Sequence, residues 1–307
     1  MPTAHAPTTS ERRLAEIGVL VVMVLWAGNF IVVKSALAVL PPVGFTFLRF
    51  VLASLTLLIL LRWREGSIGL PRRDLVAMWI LGGLGFGLYQ ILWTTGLTTV
   101  AAGDSALIIA ATPVLVALLA VAARSDVLTP LKLAGVLVSF AGVAIVVASG
   151  PGLSLGGSIA GELITLAAAV CWSVYTAYAG PFLRRISPLR ATAWATVAGT
   201  VVLAPLAIVQ LGTVDLGSVA PGVAAALVYS GLLAAGISNV VVLNGVKIVG
   251  PTRTAALQFL VPALAVILAA VFLNEAIRPG QVLGGVVIVG GVVLTRLGRS
   301  PRALRTN

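Results

Sequence analysis

Residues Pro113–Gly142 read PVLVALLAVAARSDVLTPLKLAGVLVSFAG, and residues Pro262–Gly291 read PALAVILAAVFLNEAIRPGQVLGGVVIVGG. The second stretch follows the first at an offset of 149 positions without a gap. Pro113 falls on Pro262, Asp126 on Glu275, Pro130 on Pro279, Gly135 on Gly284 and Gly142 on Gly291. Upstream the same offset pairs Gly82 with Gly231, Gly87 with Gly236, Gly96 with Gly245 and Ala106 with Ala255. Further back it drifts to 146, which pairs Trp26 with Trp172. One register held over that distance marks an internal duplication.

Both copies are apolar along nearly their whole length. The chain of 307 residues is 59% hydrophobic and only 9% charged, with a mean hydropathy of +1.12. Such a composition belongs in a bilayer, where a spanning helix takes about 20 apolar residues. Barrel strands would alternate polar and apolar residues, and these runs are continuous. Ten spans are predicted, at 15–37, 43–61, 75–96, 103–122, 131–149, 158–180, 190–210, 221–244, 251–273 and 279–296. The reading is an all-α integral membrane protein of two five-helix repeats, 1–149 and 150–307, with no room for a soluble domain. An odd number of spans per repeat turns the second copy upside down. Inverted repeats that rock about a midplane site are the architecture of alternating-access transporters.

The formal charge of +11 would suggest nucleic acid in a soluble protein, but its placement argues otherwise. If the N-terminus is inside, all Lys and Arg except Lys34, Arg49 and Arg278 fall in inner segments. That bias follows the positive-inside rule and places both termini in the cytoplasm. Residues 1–10 and 297–307 are expected to be disordered tails. No cleavable signal peptide is visible, because the first apolar run is too long for one. Cys171 is the single cysteine, so no intrachain disulfide forms.

The missing motifs narrow the chemistry. There is no phosphate-binding G-x-x-x-x-G-K-[ST] loop, so no ATP hydrolysis by this chain is expected. Gly82-Gly83-Leu84-Gly85-Phe86-Gly87 only imitates a dinucleotide loop; it lies inside span 3 with no strand before it, and close helix packing explains it better. His5, the sole histidine, sits in the N-terminal tail, which excludes a His-based metal site or a catalytic triad within the spans. The carboxylates Asp104, Glu162 and Glu275 fall near outer helix ends, not together at depth. No cofactor, no metal and no catalysis are expected, and no long loop or signalling domain supports a receptor.

Several residues stand out against this background. Pro113 and Pro262 lie near the middles of spans 4 and 9, where each removes a helix hydrogen bond and frees the carbonyl of Ile109 or Gln258. Paired breaks at matching places point to a binding site; a simple packing kink is the alternative. Trp26 and Trp172 fall near the midplane, with Asn29 one turn after the first and Tyr175 one turn after the second. Tyr89 and Trp93 share a face of span 3 beside Gln90, and Asn239 occupies the place in span 8 that matches Gln90. Rings mixed with amides suit a water-filled cavity better than a lipid face, although amides bridging packed helices would also fit. Arg49 lies about two turns inside span 2. At that depth it needs a partner or water, and Asp104, with Lys34 nearby, is the expected partner. The group would form an outer gate or a substrate-carboxylate clamp, or else a purely structural ion pair. Gly135 and Gly142 in span 5, and Gly284, Gly285, Gly290 and Gly291 in span 10, imply close helix approach within one protomer or across a dimer.

Four stretches resemble a known family. PALAVILAAVFLNEAIRPGQVLGGVVIVGGVVL (Pro262–Leu294) and its counterpart Pro113–Val147 are similar to the end of an EamA-type unit of the drug/metabolite transporter superfamily. Trp26-Ala27-Gly28-Asn29 resembles the W-x-x-N opening of that unit, and Phe47-Leu48-Arg49-Phe50 its second-span arginine. The resemblance covers the whole chain as two units, and within the superfamily the chain looks like YddG-type exporters of aromatic and other amino acids. It implies ten helices, cytoplasmic termini, a central cavity, and export of small metabolites without ATP. Asp126 stands where the unit usually has Glu, and no Asn follows Trp172 as Asn29 follows Trp26, so one asymmetric cavity is implied. The expected protein is a bacterial inner-membrane exporter of aromatic or neutral amino acids, monomeric or homodimeric, with lipid and a small molecule as its partners. Efflux of lipophilic cations is the rival transport reading. It would want an acidic residue in the cavity, and the sequence offers none.

Overall fold

The computed structural model describes residues 8–122, 127–149, 158–183, 185–214, 221–249, 254 and 257–298. Asp126, His5, most of both tails and much of 251–256 lie outside the described residues. We number ten helical segments in chain order: α1 (Thr9–Ala36), α2 (Pro42–Glu65), α3 (Arg72–Thr99), α4 (Ala102–Ala122), α5 (Pro130–Ala148), α6 (Ser158–Leu183), α7 (Pro188–Leu211), α8 (221–249), α9 (Leu260–Leu273) and α10 (Pro279–Leu297). All but α9 are long and apolar enough to cross a membrane; α9 is a shorter apolar helix of 14 residues among those described. Side chains such as Ile59, Ile208 and Phe272 are about two-thirds exposed on the outside of the bundle. Such faces are stable only against lipid.

The N-terminal boundary differs from the expectation of a tail through residue 10. Thr8 caps α1: its hydroxyl accepts from the Glu11 amide at 3.2 Å, while the Glu11 carboxylate accepts from the Thr8 amide at 2.7 Å. This T-x-x-E capping box satisfies two amide groups that a fraying helix end would leave open.

The two halves clasp each other. α2 packs on α7 and α5 on α10, the second and fifth helices of each repeat. α1 packs on α8 and α9, and α6 correspondingly on α3 and α4. Both paired contacts are antiparallel. At one end of α5–α10, Thr129 donates to the Gly298 carbonyl at 2.8 Å; at the other, Arg278 donates to the Ser149 carbonyl at 2.5 Å. Along α2–α7, Gln210 accepts from the Val43 amide at 2.9 Å, and Arg190 meets Glu65 at 3.0 Å at the far end.

Glycine sets how closely these helices come. A Cβ on Gly142 would lie 2.7 Å from the Ile288 amide nitrogen, and one on Gly284 would lie 2.8 Å from the Gly142 carbonyl. Gly135 and Gly291 face the opposite backbone in the same way, so this stripe is an intramolecular contact. Gly290 faces open space.

Two features were not expected from the sequence. α3 turns π-helical over Gly83–Leu88, and α8 does so over Tyr229–Ile237. These stretches overlap under the 149-residue offset, so the distortion belongs to the duplicated unit. Short π segments rotate the residues that follow and free backbone carbonyls, and they recur at functional sites. The glycines of α3 do pack closely: a Cβ on Gly82 would sit 2.6 Å from Ala195 Cα, and one on Gly87 would sit 2.7 Å from Val202.

Candidate functional site

A cavity of about 590 Å³ lies between the halves. One wall is built from the elements that break regular helix. α4 is interrupted at Ala110–Ala111, one turn before Pro113 takes up the second segment, and residues 258–259 interrupt the chain before Pro262 in α9. The Ile109 carbonyl, deprived of its helical partner, accepts from the Thr112 hydroxyl at 2.6 Å. Pro113, Pro262 and Gln258 all line the cavity.

The π segments supply the opposite wall. Tyr89 and Gln90 follow directly on Gly83–Leu88, and both line the cavity, as does Trp93. Tyr89 and Trp93 stack nearly parallel with centroids 6.3 Å apart, and Trp172 leans on Tyr89 at 5.4 Å. Trp26 holds the other π segment, donating from its indole nitrogen to the Ala234 carbonyl at 2.9 Å. Tyr229 reaches back to the Leu25 carbonyl at 2.9 Å. Asn29 and Asn239 complete the amide set on the cavity surface.

Tyr175 departs from the expectation: it does not line the cavity. It packs edge-on to Phe86 at 5.1 Å, behind Trp172, because Gly85 leaves room for its ring there. Phe86, which the sequence reading did not single out, lines the cavity instead.

Arg49 is the charge at the centre. It is 2% exposed and faces the cavity. One terminal nitrogen donates to Ser230 Oγ at 2.8 Å, the other to Gln90 Oε1 at 2.5 Å, and Nε has no partner. Ser230 in turn donates to Asn29 Oδ1 at 2.6 Å. The guanidinium also lies 5.4 Å from the Trp93 ring. These partners are neutral, and among the described residues no carboxylate pairs with Arg49. An arginine at membrane depth costs about 2.5–3.5 kcal/mol on insertion scales, and neutral acceptors offset only part of that.

The expected Arg49–Asp104 pair is therefore absent. Depth explains it: Arg49 lies seven residues into α2, about 10 Å along the axis, whereas Asp104 stands in the first turn of α4. Asp104 instead pairs with Arg278, and accepts from Gln281 Nε2 at 2.8 Å. Lys34 is also elsewhere; its ammonium caps the end of α3 by donating to the Leu97 and Val100 carbonyls. Glu275, from the turn before α10, accepts from the Ala102 amide at 2.9 Å and the Gly103 amide at 3.3 Å. These groups form a polar belt that ties α1, α3, α4 and α10 together at one end of the bundle. Beneath it Phe30 and Trp93 meet edge to face at 5.4 Å, and Trp93 donates to Ser105 at 3.1 Å. The cavity stops there. In the other direction it extends past Thr176 and Thr196 to Lys132 and Arg296, at the end of the bundle where the basic residues gather.

The duplication explains why the charge is single. Gly231 sits against the Arg49 carbonyl, 2.5 Å from where its Cβ would be, just as Gly82 sits against Ala195. Arg49 and Ala195 are thus equivalent positions of the two halves, and only the first carries a charge. Ser230 and Tyr229 were missed in the sequence; Gly231, matched to Gly82, was the signal that this part of α8 lies against α2.

The EamA-like transporter family model matches residues 13–148 and again 159–297. A transporter of Archaeoglobus fulgidus without an assigned substrate is 30% identical over 275 residues, covering 89% of this chain and 94% of that one. A protein named "Probable terminal-alkyne amino-acid exporter" from Streptantibioticus cattleyicolor is 31% identical over 277 residues, covering 89% and 90%. A solved crystal structure superposes with a TM-score of 0.65 at 22% identity over 92% of this chain and 98% of its own, which shows the shared fold. With two copies of the unit in one all-helical membrane chain, this protein belongs to the EamA-like transporter family.

Proposed function

We propose that this membrane transporter exports aromatic or neutral amino acids across the bacterial inner membrane. The single observation that carries the reading is Arg49, buried in the cavity without a carboxylate and ringed by Tyr89, Trp93 and amides. Arg49 takes the substrate carboxylate by charge-assisted hydrogen bonds. The stacked rings take the side chain, and Asn29, Gln90, Asn239 and Gln258 meet its remaining polar atoms. The name of the Streptantibioticus relative supports an amino-acid substrate.

The positive-inside rule puts the basic end in the cytoplasm. The cavity then extends toward the cytoplasm and is sealed outside by the Asp104–Arg278 belt and the Phe30–Trp93 contact. Rocking of the repeats, which meet along α2–α7 and α5–α10, opens the outer side and closes the inner one. Proteins that expel lipophilic cations need an acid in the site, whereas Arg49, Lys132 and Arg296 line this one and no acid does among the described residues. The test is counterflow of labelled tryptophan, phenylalanine and threonine in proteoliposomes, with and without a pH gradient. Exchange without a gradient is expected. No exchange of any of the three by folded protein would refute the amino-acid reading.

A further inference from the structure

The cavity offers a charged partner to a carboxylate and, among the described residues, none to an ammonium. Among the described residues, the charge at its centre is the Arg49 guanidinium. No Asp or Glu lines it among the described residues; Asp104 is engaged by Arg278 and Gln281 outside it, and Glu275 by the amides of α4. A carboxylate therefore finds a buried guanidinium whose Nε is unpartnered, while an ammonium finds only amide and hydroxyl oxygens. Three of these acceptors are already engaged, since Gln90 Oε1 and Ser230 Oγ accept from Arg49 and Asn29 Oδ1 accepts from Ser230.

We propose that the transported class is the aromatic monocarboxylate, with the α-amino group dispensable, so that deaminated acids of amino-acid size are carried as anions by the same site. This rests on the reading of the cavity as the amino-acid site, and it extends the substrates to compounds that carry net negative charge. The ring lies against Tyr89 and Trp93, which stack nearly parallel and line the cavity. A bare acid keeps the guanidinium contact and sheds an ammonium that Arg49 repels. An aromatic amine keeps only the repelled group. Carrying a bare acid also moves one negative charge per molecule, so the membrane potential drives it without a proton.

The experiment is competition against labelled phenylalanine counterflow in proteoliposomes at pH 7.5, using 3-phenylpropionate and phenethylamine, with labelled 3-phenylpropionate exchange measured in parallel. The acid is expected to inhibit within about threefold of unlabelled phenylalanine, and the amine at least tenfold less well. A potassium diffusion potential is expected to drive net uptake of 3-phenylpropionate but not of phenylalanine. Phenylalanine counterflow that resists 3-phenylpropionate, or yields to phenethylamine equally, overturns the inference and leaves the amino-acid reading standing. Exchange of 3-phenylpropionate without phenylalanine counterflow supports the inference and removes amino acids as substrates. Exchange of neither removes both.

Discussion

Changing Asp104 to Asn is expected to loosen the outer seal and make the cavity reachable from outside. Asp104 is 1% exposed and holds two partners, the Arg278 guanidinium and Gln281 Nε2. Asparagine keeps a carbonyl for one of them and loses the charge. Removing one partner of a buried pair costs about 3–5 kcal/mol. Here the cost is lower, about 1–2 kcal/mol, because Arg278 is partly exposed and keeps the Ser149 carbonyl at 2.5 Å. In the proposed rocking the pair forms only in the closed seal, so that loss is expected to shift the balance of conformations by about 5- to 30-fold toward outward-open. The assay uses Ala106→Cys, a 3%-exposed cavity position just under the belt, in a Cys171→Ala background. Labelling by a membrane-impermeant maleimide from the outer side is expected to accelerate by that factor when Asp104→Asn is added. An unchanged rate in folded protein would refute the belt as the seal.

Gly142→Leu forces a side chain into the backbone of α10 and is expected to lower the melting temperature sharply, whereas Gly290→Ala meets open space and leaves it unchanged; thermal unfolding in detergent distinguishes the two. Trp26→Phe removes the donor to the Ala234 carbonyl, and should cost about 1 kcal/mol of stability and weaken substrate affinity several-fold by freeing the π segment that presents Ser230. Glu275→Gln keeps the shape of the cap on α4 but loses its charge, and should cost about 0.3–1 kcal/mol in the same unfolding assay while leaving substrate affinity unchanged.

The repeat, the helix spans and the glycine contacts could be read directly, because each depends on spacing along one chain. Matching glycines such as Gly82 and Gly231 imply matching close approaches, and the backbone distances there show the same contact twice. Partner choice was less legible. Depth along separate helices suggested Arg49 with Asp104, but Arg278, from the turn before α10, arrives at Asp104 first, and a neutral serine from α8 meets Arg49. Nor does hydrophobic periodicity reveal a π segment, since one extra residue per turn changes where side chains point without changing which residues are apolar. That rotation presents Gln90 to Arg49, and Ser230, at the start of the second π segment, meets Arg49 from the other side. Tyr175 was misplaced for a related reason: Gly85 gives its ring a pocket behind the cavity wall.

In the proposed function Arg49 holds the substrate's carboxylate. Equilibrium binding of labelled phenylalanine to purified protein tests it, comparing wild type, Arg49→Gln and the surface control Trp63→Ala, whose ring is 78% exposed. Losing hydrogen bonds to a charged group costs about 1.5–3 kcal/mol, so Arg49→Gln is predicted to bind about 10- to 150-fold more weakly while Trp63→Ala binds as wild type. Folded Arg49→Gln protein that binds phenylalanine with wild-type affinity would contradict the account.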